Sequence, residues 1–127
     1  MDFTLTPEQE AFRARVRTWL EANIPREWKS MGSTEVPRPE AYEFLKRWQA
    51  KLHEGGFIGV TWPKEYGGQG LTFVEEMILH QEMALQKAPP MLNVLGVGMA
   101  GPTIIAYGTE AQKKRYPEKI LSCEEIW

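Results

Sequence analysis

The amino-acid sequence predicts an all-α fold, a bundle of four to six helices. Three observations carry that expectation. Helix-opening signatures recur along the chain, the residues behind them place apolar side chains at helical spacing, and no segment alternates apolar with polar residues as a half-buried strand would.

The first helix opens at Thr6-Pro7-Glu8-Gln9. Thr6 offers a capping hydroxyl, Pro7 takes a position whose N–H would be unpaired anyway, and Gln9 closes a capping box. Phe12, Val16, Trp19 and Leu20 then share one face, with Arg13, Arg15, Arg17 and Glu21 off it, until Asn23 and Pro25 end the helix. From Pro25 to Pro39 the chain is rich in Pro, Gly and Ser and lacks a period, which reads as a loop. A second helix begins near Pro39-Glu40, carries Ala41, Leu45, Trp48 and Leu52 as a stripe, and stops at Gly55-Gly56. Phe57 to Gly70 holds four glycines and Pro63 and is expected to be a structured loop.

Thr72 and Glu75 form another capping box, opening a third helix with Val74, Met77, Ile78 and Leu85 inward and Pro89-Pro90 beyond its end. The run from Met91 to Tyr107 is almost wholly apolar and too long for one strand, so it predicts a buried helix, closed by Gly108. Thr109-Glu110-Ala111-Gln112 caps a short last helix that Pro117 limits. Ile120 to Trp127 follows without a turn or a polar tail.

Composition bounds the function. The chain has 127 residues, 43% hydrophobic and 25% charged, with a net charge of −2, which suits one globular domain. Five Trp and five Phe supply a core. Near-balanced charge leaves no electrostatic footprint for nucleic acid. Cys123, the single cysteine, excludes an internal disulfide and fits a reducing compartment. No run of about 18 apolar residues offers a membrane span. Met1-Asp2-Phe3-Thr4 has the layout of neither a secretory signal nor a transit peptide, so a cytoplasmic location is expected.

Residue chemistry alone yields no active site. Gly96-Val97-Gly98-Met99-Ala100-Gly101 matches the spacing of a dinucleotide fingerprint, with Glu124-Glu125 somewhat over 20 residues later. That chemistry needs a strand before the first glycine and an unbroken helix after the third, yet Pro102 follows Gly101 directly. Close packing of a glycine-bearing helix is the competing reading. His53 and His80 are far apart and have no second ligand at zinc spacing. Glu76 and His80 form an ordinary surface pair at i, i+4, and adjacent Glu75 and Glu76 point about 100° apart. Cys123 has no partner that would lower its pKa, which favours an inert thiol.

The segment Phe57-Ile58-Gly59-Val60-Thr61-Trp62-Pro63-Lys64-Glu65-Tyr66-Gly67-Gly68-Gln69-Gly70 resembles the W-P-x-E-x-G-G loop of the acyl-CoA dehydrogenase family. Thr6-Pro7-Glu8-Gln9, Gly101-Pro102-Thr103-Ile104-Ile105 and Gly108-Thr109-Glu110-Ala111-Gln112-Lys113-Lys114-Arg115-Tyr116 resemble it too, in the same order, so the likeness covers essentially the whole chain. It implies the N-terminal helical domain, residues 1–121, with residues 122–127 leading into a β-domain that lies beyond Trp127. In the family that next domain contacts FAD. The glutamate that removes the α-proton of an acyl-CoA, while a hydride leaves the β-carbon for FAD, belongs to a C-terminal domain. No residue here inherits a catalytic or cofactor-binding role, and this chain alone is expected to be inactive and free of FAD.

The resemblance further implies an acyl-CoA substrate, electron-transferring flavoprotein as acceptor, and a homo-oligomer. It makes Met91, Leu92, Leu95 and Met99 candidates for lining the acyl-chain pocket, with Leu92, Leu95 and Met99 on one helical face; plain core packing is the alternative for them. Cys123 stands where the family commonly has glycine, and Tyr116-Pro117 lacks a residue often found between them. A free-standing helical protein-interaction module is the rival reading from another functional class, and a small nucleotide-binding domain the third.

Overall fold

The computed structural model describes residues 3–30 and 39–127, which are helical without a strand among them. Helix α1 (Pro7–Asn23) opens on the expected box: the Gln9 N–H donates to Thr6 Oγ1 at 3.2 Å and the Thr6 N–H to Gln9 Oε1 at 2.8 Å. It buries Phe12, Val16 and Leu20. The half-buried Trp19 lays its ring 5.1 Å from Phe57 and 5.8 Å from Trp48.

The stretch after Pro25 departs from a plain loop. Arg26–Ser30 forms a one-turn helix, α2, because Pro25 presets the backbone and Trp28 is anchored from outside. The Trp28 indole stacks on Phe44 at 5.7 Å and donates to the Lys87 carbonyl at 2.8 Å. The remainder of that predicted loop, 31–38, lies outside the described residues.

Helix α3 (Pro39–Gly55) buries Phe44, Trp48, Gln49 and Leu52. Of the expected stripe, Trp48 and Leu52 are core, whereas Ala41 and Leu45 are only half-buried; Phe44, one residue earlier than Leu45, packs under Trp28 instead. Gly56 adopts φ 77° and ends the helix, the Phe57 N–H donating back to the Leu52 carbonyl at 2.9 Å. The following loop sends Phe57, Ile58, Val60 and Trp62 inward and turns once through a 3₁₀ helix at Lys64–Tyr66.

Helix α4 (Phe73–Leu85) starts at the Thr72–Glu75 box and buries Ile78, Leu79 and Glu82. Two residues expected to point inward do not: Met77 is 47% and Leu85 70% exposed. Helix α1 packs on α4, and the inward side is fixed by Glu82, whose carboxylate meets Arg13 and Arg17 of α1. A π turn (Gly96–Ala100) then runs into α5 (Gly101–Tyr107). This helix is also less buried than predicted, because its apolar residues lie on both sides and only the glycine side meets the core.

Helix α6 (Glu110–Arg115) follows its predicted box at Thr109. Pro117, expected to limit the last helix, also begins a new one, α7 (Pro117–Leu121), by standing at a first-turn position where no N–H is required. Helix α7 buries Pro117, Ile120 and Leu121. No helix among the described residues is long and apolar enough to cross a membrane.

Candidate functional site

The helix from residue 94 to 107 carries an uncharged surface, since no charged residue occurs between Lys87 and Glu110. Its inner side joins two buried glycines to the half-buried Val97, Ile104 and Ile105. A Cβ at Gly96 would collide with the Asn93 carboxamide, and one at Gly101 with the Trp62 indole. In an α-helix, residues five apart point about 140° away from each other. The π turn, closed by the Gly101 N–H donating to the Gly96 carbonyl, brings both glycines to the inner side. Gly96 and Gly101 of the apparent dinucleotide fingerprint therefore serve close packing, and no strand precedes them among the described residues.

The outer side is apolar and open. Val94 and Leu95 are each 60% exposed and Met99 65%. Gly98 is exposed as well, and a Cβ there would touch nothing within 4 Å. Leu95 and Met99, four residues apart, share one stripe. Of the four residues the sequence singled out, these two come together. Met91 and Leu92 are half-buried in the segment before the helix, and Met91 packs against the core. A groove of 740 Å³ lined by Ala11, Ala14, Thr18, Trp19, Gly55 and Phe57 is separate from all four.

Trp62 fixes the inner wall. Its N–H donates to the Gly59 carbonyl at 2.9 Å, its own carbonyl accepts the Gly70 N–H at 2.8 Å, and Gly68 is pressed against that carbonyl so closely that no side chain fits. The loop that resembles the W-P-x-E-x-G-G motif is thus a mount for one indole against α5.

Between Val94 and Tyr107 the sole titratable side chain is the phenol of Tyr107. The Arg17 and Arg13 guanidinium groups hold the Glu82 carboxyl below the usual carboxylate range, against the opposing effect of burial. Burial pushes the Cys123 thiol up, with Lys46 opposing in part, as an inert thiol requires. Among the described residues no three His, Cys, Asp or Glu side chains gather into a metal-binding group.

Sequence reasoning missed two buried amides, Gln49 and Asn93. Gln49 Nε2 donates to the carbonyls of Ile120 and Leu121 at 3.1 and 3.2 Å, while its Oε1 accepts the Asn93 N–H at 2.9 Å. Asn93 Nδ2 donates to the carbonyls of Ile120 and Glu125 at 3.1 and 3.0 Å, and Oδ1 accepts the Trp127 N–H at 3.0 Å. The one signal in the sequence is a polar residue inside each apolar stretch, beside Trp48 and within Met91–Leu95.

Residues 6–124 match the family described as acyl-CoA dehydrogenase, N-terminal domain. The acyl-CoA dehydrogenase IpdE1 of Mycolicibacterium smegmatis is 36% identical over 122 residues, covering 94% of this chain and 31% of that protein. In the solved ChsE4–ChsE5 complex from Mycobacterium tuberculosis, a chain 30% identical superposes with a TM-score of 0.76, over 96% of this chain and 29% of that one. The Tcur3481–Tcur3483 steroid ACAD gives 34% identity and a TM-score of 0.75, over 99% and 32%. The chain spans about a third of the length of the curated relatives it matches.

Proposed function

This chain belongs to the acyl-CoA dehydrogenase family, as its N-terminal domain, and from that premise we propose that it supplies the acyl-facing wall of an FAD-dependent enzyme that dehydrogenates an acyl-CoA thioester between its α and β carbons. The observation that carries the proposal is the uncharged outer side of the 94–107 helix, where Val94, Leu95 and Met99 stand exposed although the inner side is packed on Trp62. Apolar side chains held open on a rigid helix gain most when an acyl chain or an apolar neighbour covers them. Met91 and Leu92 extend the same wall from the segment before the helix.

The described residues do not themselves fit a flavin. Every buried side-chain nitrogen or oxygen among them already has a hydrogen-bond partner, and the outer two fingerprint glycines, Gly96 and Gly101, are filled by Asn93 and Trp62. On this reading flavin and catalytic glutamate belong to further domains, residues 122–127 lead toward the first of these, and these 127 residues alone do not turn over. Electron-transferring flavoprotein is the proposed acceptor. The name of the ChsE4–ChsE5 relative supports assembly into an oligomer, and the lone buried cysteine suits the cytoplasm. The relative named as a steroid ACAD supports a bulky alicyclic acyl group, with open space at Gly98.

The test is reconstitution. The 127-residue chain, purified and desalted, should be colourless and should not oxidise acyl-CoA. Fused to the β-domain and C-terminal domain of a relative, it should give a yellow protein that reduces a dye acceptor with acyl-CoA. Stoichiometric flavin on the short chain, or a fusion that folds and binds flavin yet ignores every acyl-CoA, would overturn the reading.

A further inference from the structure

The Asn93 carboxamide meets one stretch of chain at two points. Its Nδ2 donates to the Glu125 carbonyl at 3.0 Å, and its Oδ1 accepts the Trp127 N–H at 3.0 Å. A carbonyl at one residue and an N–H two residues on lie along the same edge of an extended chain. One residue of a neighbouring parallel strand, through its own N–H and C=O, would bind such a pair in this way. A buried side chain here does the work of a strand.

The same residue is tied to the acyl-facing helix. Asn93 immediately precedes its first turn, its carbonyl accepts the Val97 N–H at 3.0 Å, and Gly96 is pressed onto its carboxamide. Its N–H is held by Gln49 of α3, and its Nδ2 also reaches the Ile120 carbonyl at the end of α7. Three stretches distant in sequence, α3, the start of this helix and residues 120–127, therefore meet at one fully used amide with no solvent exposure.

We propose that Asn93 is a positioning residue: its carboxamide sets the register in which residues 125–127 leave the helical domain and locks that register to the helix bearing Leu95 and Met99. The proposal rests on the reading above, in which the chain passes from Trp127 toward the flavin-contacting domain. Asn93 then aligns the acyl-facing wall with the direction of the next domain. Only an amide does this, because one end must donate and the other accept. Aspartate presents acceptors to the carbonyls of Ile120 and Glu125, and alanine presents nothing.

Amide hydrogen exchange of the 127-residue chain, read by NMR, tests this without reference to acyl-CoA or flavin. In the unaltered protein the Trp127 amide should exchange at least about 100-fold more slowly than an unstructured peptide, although its side chain is half exposed. Exchange at the unstructured rate would overturn the proposal outright, with no variant needed. In Asn93→Ala and Asn93→Asp the Trp127 protection should fall at least about tenfold more than that of Leu20 and Ile78, which report the core. The edge-on Tyr116–Trp127 contact, with centroids 5.4 Å apart, should weaken together with it, moving the indole signal. A uniform loss across all amides, or none at Trp127, would reduce Asn93 to ordinary core. If Trp127 depends on Asn93 while the fused enzyme ignores acyl-CoA, the positioning stands and the dehydrogenase reading falls.

Discussion

Arg17 grips Glu82 with two parallel hydrogen bonds, Nη2 to Oε1 at 2.8 Å and Nε to Oε2 at 3.1 Å, across 65 residues of sequence. Arg13 adds a third bond to Oε1 at 2.9 Å, and the carboxylate is 1% exposed. Glu82→Gln should cost about 1–3 kcal/mol. That is less than a fully buried pair would lose, because Arg17 is half exposed. The Glu82 carboxyl is held below its ordinary value, so its contribution is complete above about pH 4.3 and is lost as pH falls through the lowered folded value. Urea unfolding across acid pH checks both: the variant should be less stable at neutral pH and should lose less on acidification. An equal acid slope in the two proteins would refute the assignment.

Lys87 closes α4 in the left-handed region, φ 52°, where its N–H donates to the Ala84 carbonyl and the next N–H, of Ala88, to the Met83 carbonyl. This is the glycine position of a Schellman motif occupied by lysine. Lys87→Gly should stabilise by about 1 kcal/mol and raise Tm by about 4 °C, since the Trp28 indole bonds only to the Lys87 backbone. Calorimetry that shows a lower Tm would contradict it.

Cys123 sits at φ 67°, in the left-handed region that favours glycine, with its side chain fully buried. Cys123→Gly should be nearly neutral, relief of about 1 kcal/mol of left-handed strain offsetting a lost buried thiol of similar worth. Cys123→Val, branched at Cβ, should lose about 2 kcal/mol or more by thermal melting.

Gly98 and Gly101 separate by surroundings. Gly98→Ala adds a methyl in open space and should gain about 0.5–1 kcal/mol from helix propensity. Gly101→Ala drives that methyl into Trp62 and should cost about 1–3 kcal/mol, with a shift in tryptophan fluorescence. Similar melting temperatures for the two variants would mean that Trp62 does not wall off Gly101.

Leu95→Phe and Met99→Phe should leave the Tm of the 127-residue chain within about 1–2 °C, because both side chains are mostly exposed. In the fused dehydrogenase the same substitutions should shift kcat/KM toward smaller acyl groups. An unmoved acyl profile would remove them from the site, and a large drop in Tm would return them to the core.

Helix starts were legible because their signals are local: Thr6 with Gln9, Thr72 with Glu75 and Thr109 with Gln112 lie three residues apart, and each forms its box. Which side of a helix faces inward was less legible. Met77 and Leu85 read as core, but the side of α4 that turns in is chosen by Glu82 and its two arginines on α1, more than 60 positions earlier. Apolar content likewise overstated burial between Met91 and Tyr107, since nothing in one sequence tells a side covered by its own domain from a side left for another. Leu95 and Met99 could be picked out as a pair, but their exposure could not. Asn93 and Gln49 were invisible as a pair, because their partners are backbone groups of α7 and the residues after it.

The π turn means that the helix from 94 to 107 holds one residue more than its axis needs. That surplus is a latent frame. Deleting Gly98, the member of the turn that touches nothing, would let the hydrogen-bond ladder close as ordinary α-helix with little loss of length. Gly101 would then stand four residues after Gly96, about 40° round an ordinary α-helix, and would still face the indole of Trp62. Ile104 and Ile105, now half-buried, would keep their directions. A chain of 126 residues could thus keep its helices and the fit between them, so this turn should tolerate the loss of one residue where a deletion after Gly101 would turn the rest of the helix by about 100°.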